Sequence, residues 1–198
     1  MQKSPRRKPA AAKSQIRIIG GQWRGRKIDV PAGEGLRPTP DRIRETLFNW
    51  LALDVPGAQV LDCFAGAGGL GLEAASREAR QVTLVEKDRA ASMNLQRQCE
   101  RIGAHHVRVI HDDALHFLAQ DNTLYDLVFI DPPYAQAQLR EQALACLIDK
   151  NLLKNKALIY LEWPKQQQMR LIHDELTWVK QKSAASVCYG VAQWRVTG

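Results

Sequence analysis

The segment Leu127-Val128-Phe129-Ile130-Asp131-Pro132-Pro133-Tyr134 runs an apolar strand straight into an acid, two prolines and an aromatic ring. Neither Pro132 nor Pro133 can donate a ladder hydrogen bond, so strand pairing must stop there and the backbone beyond is stiff. Such a group suits one kind of chemistry. An amino group on a nucleobase or amide is a poor nucleophile because its lone pair is delocalised. The Asp131 carboxylate and the Pro132 carbonyl could accept its two hydrogens and localise that lone pair towards an electrophile. Tyr134 could then stack on the base and hold it in line. The plain alternative is a strand-ending turn.

A second constellation lies upstream, in Leu61-Asp62-Cys63-Phe64-Ala65-Gly66-Ala67-Gly68-Gly69-Leu70-Gly71. Gly66, Gly68 and Gly71 match G-x-G-x-x-G, so a nicotinamide or flavin site has to be weighed. Asp62, four residues before the first glycine, argues for another ligand. A carboxylate there would repel a pyrophosphate but suit an ammonium. S-adenosylmethionine carries an ammonium and no phosphate. Glu86, 20 residues beyond Gly66, can accept both ribose hydroxyls. Asp113 has two readings: an acceptor for an adenine amino group, or the cap of a helix over 114–119.

The elements that must position these groups follow from the patterning. Short apolar runs at 59–61, 82–85, 107–110, 127–130 and 157–161 alternate with helix-like stretches at 69–79, 88–102, 113–119 and 137–149. That is the rhythm of an α/β doubly wound, mostly parallel sheet. A helix is expected over 165–175, then an antiparallel strand pair at 176–182 and 186–196 closing the sheet edge. Ahead of the sheet, Ile16–Ile19 and Arg26–Val30 flank a Gly-rich turn and read as a hairpin. Thr39-Pro40-Asp41 reads as a helix start, with Thr39 the capping hydroxyl and Pro40 the first helical residue. Ile43, Leu47, Trp50 and Leu51 then form one apolar face. The expected organisation is a basic flexible tail over 1–14, a hairpin-and-helix extension over 15–57, and a catalytic domain over 58–198.

With 198 residues, 45% hydrophobic and 25% charged, the chain is long enough for one compact domain and a sizeable core, and its composition is not that of a disordered or fibrous protein. The net charge of +7 is local: residues 1–44 carry 12 Lys/Arg against 3 Asp/Glu, and the rest 16 against 18. A basic end of this kind suits a polyanion, since each cation set against a phosphate releases counterions. Residues 1–14 could equally be a solvated tail. Arg17, Arg24, Arg26, Arg37, Arg42 and Arg44 lie in structured-looking sequence and are the candidate contacts to a polyanion. Cys63, Cys99, Cys146 and Cys188 form no C-x-x-C pair and no metal-ligand spacing, so packing roles and no metal are expected. No apolar run approaches the ~18 residues that span a bilayer, which leads to the expectation of a cytoplasmic protein with no membrane partner.

Taken together, the residues resemble class I S-adenosylmethionine-dependent methyltransferases and, within them, the bacterial RsmD type. The general signatures are Asp62 to Ala74 and Asp131 to Tyr134. The more specific ones are Ile16-Arg17-Ile18-Ile19-Gly20-Gly21-Gln22-Trp23-Arg24-Gly25-Arg26 and Leu36-Arg37-Pro38-Thr39-Pro40-Asp41-Arg42-Ile43-Arg44-Glu45-Thr46-Leu47-Phe48-Asn49-Trp50. The resemblance spans about residue 15 to the C-terminus. It implies a seven-stranded Rossmann-like sheet with an N-terminal β-hairpin over the cofactor cleft. The implied reaction moves a methyl group from S-adenosylmethionine to the N2 of a guanine in 16S rRNA, guanine 966 in the family's usual rRNA numbering, leaving S-adenosylhomocysteine. The implied cofactor residues are Asp62, Phe64, Gly66, Gly68, Glu86, Lys87, Asp113 and Ala114, with Asp131, Pro132, Pro133 and Tyr134 around the target base. Asp113 stands where some members carry Asn, and either side chain can accept from an adenine amino group. The resemblance makes the polyanion RNA, with Arg140 near the acid-proline segment joining the candidate contacts. A monomer acting on a small-subunit particle is the expected partner arrangement.

Other functions share parts of this pattern. Asp-Pro-Pro-Tyr also fits methylation of adenine N6 in DNA or of a protein glutamine. No segment is long enough for a separate DNA-reading domain, and the basic hairpin suits phosphate better than peptide. A non-catalytic RNA-binding assembly factor would have little use for an intact Asp131 and glycine loop.

Overall fold

The computed structural model describes residues 15–30, 39–133 and 136–196. The elements are β1 (Gln15–Arg17), β2 (Lys27–Asp29), α1 (Asp41–Trp50), β3 (Gln59–Asp62), α2 (Gly71–Ser76), β4 (Gln81–Glu86), α3 (Arg89–Ile102), β5 (Val107–His111), α4 (Ala114–Gln120), β6 (Tyr125–Ile130), α5 (Gln138–Asp149), β7 (Leu153–Pro164), β8 (Leu176–Ala184) and β9 (Val187–Trp194). Strands β1 and β2 pair as an antiparallel hairpin, and the other seven form one sheet in the order β5-β4-β3-β6-β7-β9-β8. Neighbours from β5 to β7 are parallel, and β9 runs antiparallel between β7 and β8. The α/β fold read from the sequence is therefore present, with its antiparallel strand one place in from the edge.

Strand alternation explains the three layers. Val60, Val82, Leu127, Phe129, Leu158 and Tyr160 point to one face, where the hairpin, α1, α2 and α3 cover them. Leu61, Val85, Val128, Ile130, Ile159 and Leu161 point to the other, under α4 and α5. Both faces are buried, as parallel strands require. Helix α3 has the ends its sequence calls for: Asp88 accepts from Ala91 N–H at 2.8 Å, and Gly103 closes it at φ 71°.

Three local expectations are corrected. Residues 165–175 form turns and bends instead of a helix; Met169, Leu171 and the exposed Ile172 do not make a helical apolar stripe. Strand β7 extends well beyond 157–161, because Leu153 is buried opposite Tyr125 on one side of a register shift and Leu158 pairs with Leu127 on the other. Pro40, at φ −56° and ψ 145°, is the residue flanking α1 rather than its first member, and no side chain caps that helix. The Thr39 hydroxyl is engaged elsewhere, as described below.

The extension is fastened to the sheet through one buried acid. Glu73 on α2 accepts from Ile19 N–H at 2.7 Å, Gly20 N–H at 2.8 Å and Arg77 Nε at 2.8 Å. Trp23 N–H donates to Ser76 Oγ at 3.0 Å and Gln22 N–H to the Ser76 carbonyl at 2.8 Å. Gly21, at φ +74°, lies so close to this helix that a Cβ would sit 1.8 Å from the Ser76 carbonyl oxygen. A fully buried carboxylate would destabilise the fold without this set of charge-assisted donors.

Candidate active site

The sheet order reverses between β3 and β6, and a cleft opens at the carboxyl ends of the strands there, where open α/β sheets hold ligands. Its volume is about 1160 Å³, above the ~300–1,000 Å³ of ordinary small-molecule sites, so there is room for a nucleoside cofactor and a base together. The lining carries Asp62, Phe64, Glu86, Lys87, Asp113, Ala114, Asp131, Pro132 and Pro133. The structure thus brings together the two constellations that lie about 60 residues apart in sequence. Tyr134 lies outside the described residues.

Two acids stand over the glycine loop. Asp62 ends β3, is 2% exposed, and accepts from Gly71 N–H at 3.0 Å. Burial raises its carboxyl pKa to about 7, against the Gly71 and Phe64 N–H groups that lower it. Glu86 ends β4 and receives Gly66 N–H at 2.7 Å on one oxygen and Asp88 N–H at 2.7 Å on the other. The loop bends through positive φ at Gly66 (52°) and Gly68 (82°), where a Cβ on Gly68 would also meet Leu95 at 2.6 Å. Asp113 is the N-cap of α4, accepting from Leu115 N–H at 3.0 Å, and also takes Lys87 Nζ at 3.1 Å. Burial is the largest single influence and raises its carboxyl, but the Lys87 ammonium and the His116 and Leu115 N–H groups together outweigh it and hold the carboxyl below the usual range.

At the other end of the cleft, Asp131 continues β6. Its carboxyl is pushed well above the usual range by burial first and then by Glu162, with the Thr39 hydrogen bond and Arg140 opposing. Thr39 Oγ1 donates to Asp131 Oδ2 at 3.2 Å across 92 residues of chain. Glu162 on β7 also lines the cleft, accepts Tyr160 Oη–H at 2.9 Å and is 6% exposed. Sequence reasoning missed it. The available signal was an acid interrupting the apolar run Ala157 to Trp163, as Asp62, Glu86 and Asp131 end theirs.

Two of the expected RNA contacts are corrected. Arg44 is 1% exposed and is held by Asp41 at 2.6 Å, the Arg17 carbonyl at 2.8 Å and Glu73 at 3.7 Å, so it braces the extension against α2. Its i, i+3 and i, i+4 spacing to Leu47 and Phe48 puts it on the buried side of α1 beside Ile43. Arg140 is 5% exposed and donates to the Glu162 carbonyl at 2.8 Å. Arg17, Arg24, Arg26 and Arg42 are exposed, Arg42 at the cleft wall, and Arg37 lies outside the described residues along with 1–14. Cys63 and Cys99 are buried, and all four cysteines are free. Among the described residues no metal-ligating cluster occurs, and no helix is long and apolar enough to cross a membrane.

The chemistry of the lining separates the two nucleotide readings. Its acids are Asp62, Glu86, Asp88, Asp112, Asp113, Asp131 and Glu162, and its bases are Arg42, Lys87 and Lys182. An acid-rich cleft suits a cofactor that carries ammonium and sulfonium charges and disfavours a dinucleotide pyrophosphate.

Comparison with known proteins agrees with this geometry. The family model described as "Conserved hypothetical protein 95" matches residues 16–193. The chain belongs to this family, the RsmD type. Family relatives include ribosomal RNA small subunit methyltransferase D of Escherichia coli (strain K12), 47% identical over 184 residues, covering 93% of this chain and 92% of the relative. The protein of that name from Haemophilus influenzae is 41% identical, covering 92% and 95%. Among solved structures, a putative methyltransferase, yhhF, from Escherichia coli superposes with a TM-score of 0.86 at 44% identity, covering 92% of this chain and 99% of that one. The overall fold is thus shared with a solved relative over nearly the whole chain.

Proposed function

We propose that the protein transfers a methyl group from S-adenosylmethionine to the exocyclic N2 of a guanine in 16S rRNA, guanine 966 in the family's usual numbering, within a small-subunit particle. The observation that carries the reading is the placement of Asp131-Pro132 at the same cleft as Asp62, Glu86 and the glycine loop. The names of the curated relatives supply the rRNA small subunit as substrate class.

The lining fits the cofactor. Asp62 would hold its ammonium, directly or through water, and Glu86 its ribose hydroxyls, each oxygen of Glu86 keeping a lone pair beyond its present backbone bond. Asp113 and the Ala114 backbone would meet the adenine, and Phe64 would close the cleft beside it. When bound, S-adenosylmethionine supplies an electrophilic methyl on a sulfonium and leaves as S-adenosylhomocysteine. Asp131 and the Pro132 carbonyl accept the two N2 hydrogens and localise the nitrogen lone pair for in-line attack. After transfer, Asp131 receives the proton, a task suited to a carboxylate whose pKa is raised. No covalent enzyme intermediate is needed. Cys63, the cysteine lining the cleft, is buried and its thiol is pushed well above the usual range, which makes it a poor nucleophile. Arg17, Arg24, Arg26 and Arg42 would meet RNA phosphates around the cleft.

The test is incubation with methyl-labelled S-adenosylmethionine and hypomethylated small subunits, with naked 16S RNA and DNA in parallel, followed by identification of the labelled nucleoside by mass. N2-methylguanosine from 16S RNA is expected. Methyladenine, or no label despite cofactor binding, would overturn the reading.

A further inference from the structure

Resting on the guanine-N2 reading above, we propose that Glu162 selects guanine by accepting a hydrogen bond from the ring N1–H while Asp131 accepts from the adjacent 2-amino group. Strands β6 and β7 are parallel with Ile130 opposite Leu161, so the next pair in register is Asp131 and Glu162. Ile130 and Leu161 point into the core under α4 and α5, whereas Phe129 and Tyr160 point to the opposite cluster. Alternation therefore puts Asp131 and Glu162 side by side on the same face. Both line the cleft. That each acid feels the other agrees with this: Glu162 is the chief charge pushing the Asp131 carboxyl up.

The pair is built, not incidental. Tyr160, itself fully buried between Phe129 and Tyr189, donates its hydroxyl to Glu162 Oε2 at 2.9 Å. Arg140 Nη1 fixes the Glu162 carbonyl at 2.8 Å. The Glu162 backbone and carboxyl are thus each held in place, and a carboxylate that already has partners can still accept another N–H, since its two oxygens offer about four acceptor positions.

Two acceptors side by side match one base. Guanine sets a ring N–H next to its amino group, whereas adenine and cytosine set a ring lone pair there. Glu162 would face that lone pair with another, leaving a buried acceptor unpaired and the two repelling. Sites built to hydrogen-bond a substrate N–H reject an analogue lacking it far more strongly than apolar pockets reject a missing methyl. Selection against adenine thus comes from β7 and not from the Asp-Pro-Pro-Tyr segment.

The experiment uses small-subunit particles reconstituted with 16S RNA carrying either guanine or 2-aminopurine at the methylated position. 2-Aminopurine keeps the 2-amino group but has a lone pair at N1. The wild-type protein should favour guanine by about 10²-fold or more in kcat/KM. Glu162→Gln, whose amide can turn either its C=O or its N–H to N1, should cut that preference at least tenfold by gaining activity on 2-aminopurine, with S-adenosylhomocysteine affinity within about twofold. An unchanged preference in a folded Glu162→Gln overturns the inference, while N2-methylguanosine from the wild type leaves the guanine-N2 reading standing. Absence of N2-methylguanosine from the wild type overturns both. If thermal melting shows Glu162→Gln unfolded, Tyr160→Phe decides: releasing Glu162 should lower the preference about threefold or more, and an unchanged preference overturns the assignment.

Discussion

The two ends of the cleft hold their acids in different ways. At the glycine-loop end, Asp62 and Glu86 are pinned by backbone N–H groups of Gly71, Gly66 and Asp88, all within 20 residues of the acid they hold. At the other end, Asp131 is held by the side chain of Thr39, 92 residues away, and Glu162 by the side chain of Tyr160. Backbone fixation is set once the strand and loop fold, whatever the surrounding side chains. Tyr160 is a neighbour of Glu162 on β7, but the Asp131 contact depends on a distant element being in place, since Thr39 belongs to the extension that carries the exposed arginines. The glycine-loop end is therefore pre-set, whereas Asp131 takes its final geometry from the extension that carries the exposed arginines.

Substitutions should separate the two ends, and the largest effect is expected at Asp131. Asp131→Ala should lower turnover by about 10²-fold or more, the scale of losing a positioned polar group, and leave S-adenosylhomocysteine affinity within a few-fold by calorimetry. A comparable loss of affinity would mean that the ends are not independent. Next comes a pH effect at the cofactor end. A cationic ligand favours the charged form of Asp62, whose pKa is raised to about 7, so binding releases a proton below that value. S-adenosylhomocysteine affinity should fall as pH drops through 7, approaching about tenfold per unit, and level off above it. Thr39→Val should reduce kcat by about three- to tenfold, since it removes one hydrogen bond to a carboxylate. Because that bond holds the Asp131 carboxyl down, the pH–rate profile should also move to higher pH, while cofactor affinity stays unchanged. The smallest effect belongs to the surface: replacing Arg24 and Arg26 with Gln should weaken particle binding several-fold and flatten its salt dependence by about one unit per lost phosphate contact, with kcat at saturation unchanged.

Much of the cofactor end was readable in the sequence because its chemistry is local. A strand, an acid, a glycine loop and a second strand-ending acid follow one another within 62–86, and the alternation of apolar runs with helical stretches fixed which ends meet. The base end was only half readable. Asp131 and Pro132 are contiguous, but Thr39 looked like a helix cap, and its partner became visible only when the chain was folded. Arg44 and Arg140 carry the same charge as the exposed arginines, and charge alone says nothing of burial. Each proves to be a brace whose partners are carbonyls and acids from other elements. The absence of a helix over 165–175 has the same root: its few apolar residues pack against tertiary neighbours without needing helical periodicity.

Glu73 has one more consequence, for synthesis. It receives the Ile19 and Gly20 N–H groups across more than 50 residues of sequence, and Ser76 receives Trp23 across 53. The hairpin leaves the ribosome long before α2 does, and at ~5–20 residues per second the interval is on the order of 3–10 s. During that time a short, basic ribbon is exposed beside ribosomal RNA with its docking partner still untranslated. The acid that later seats it is thus also the timer that ends its wait.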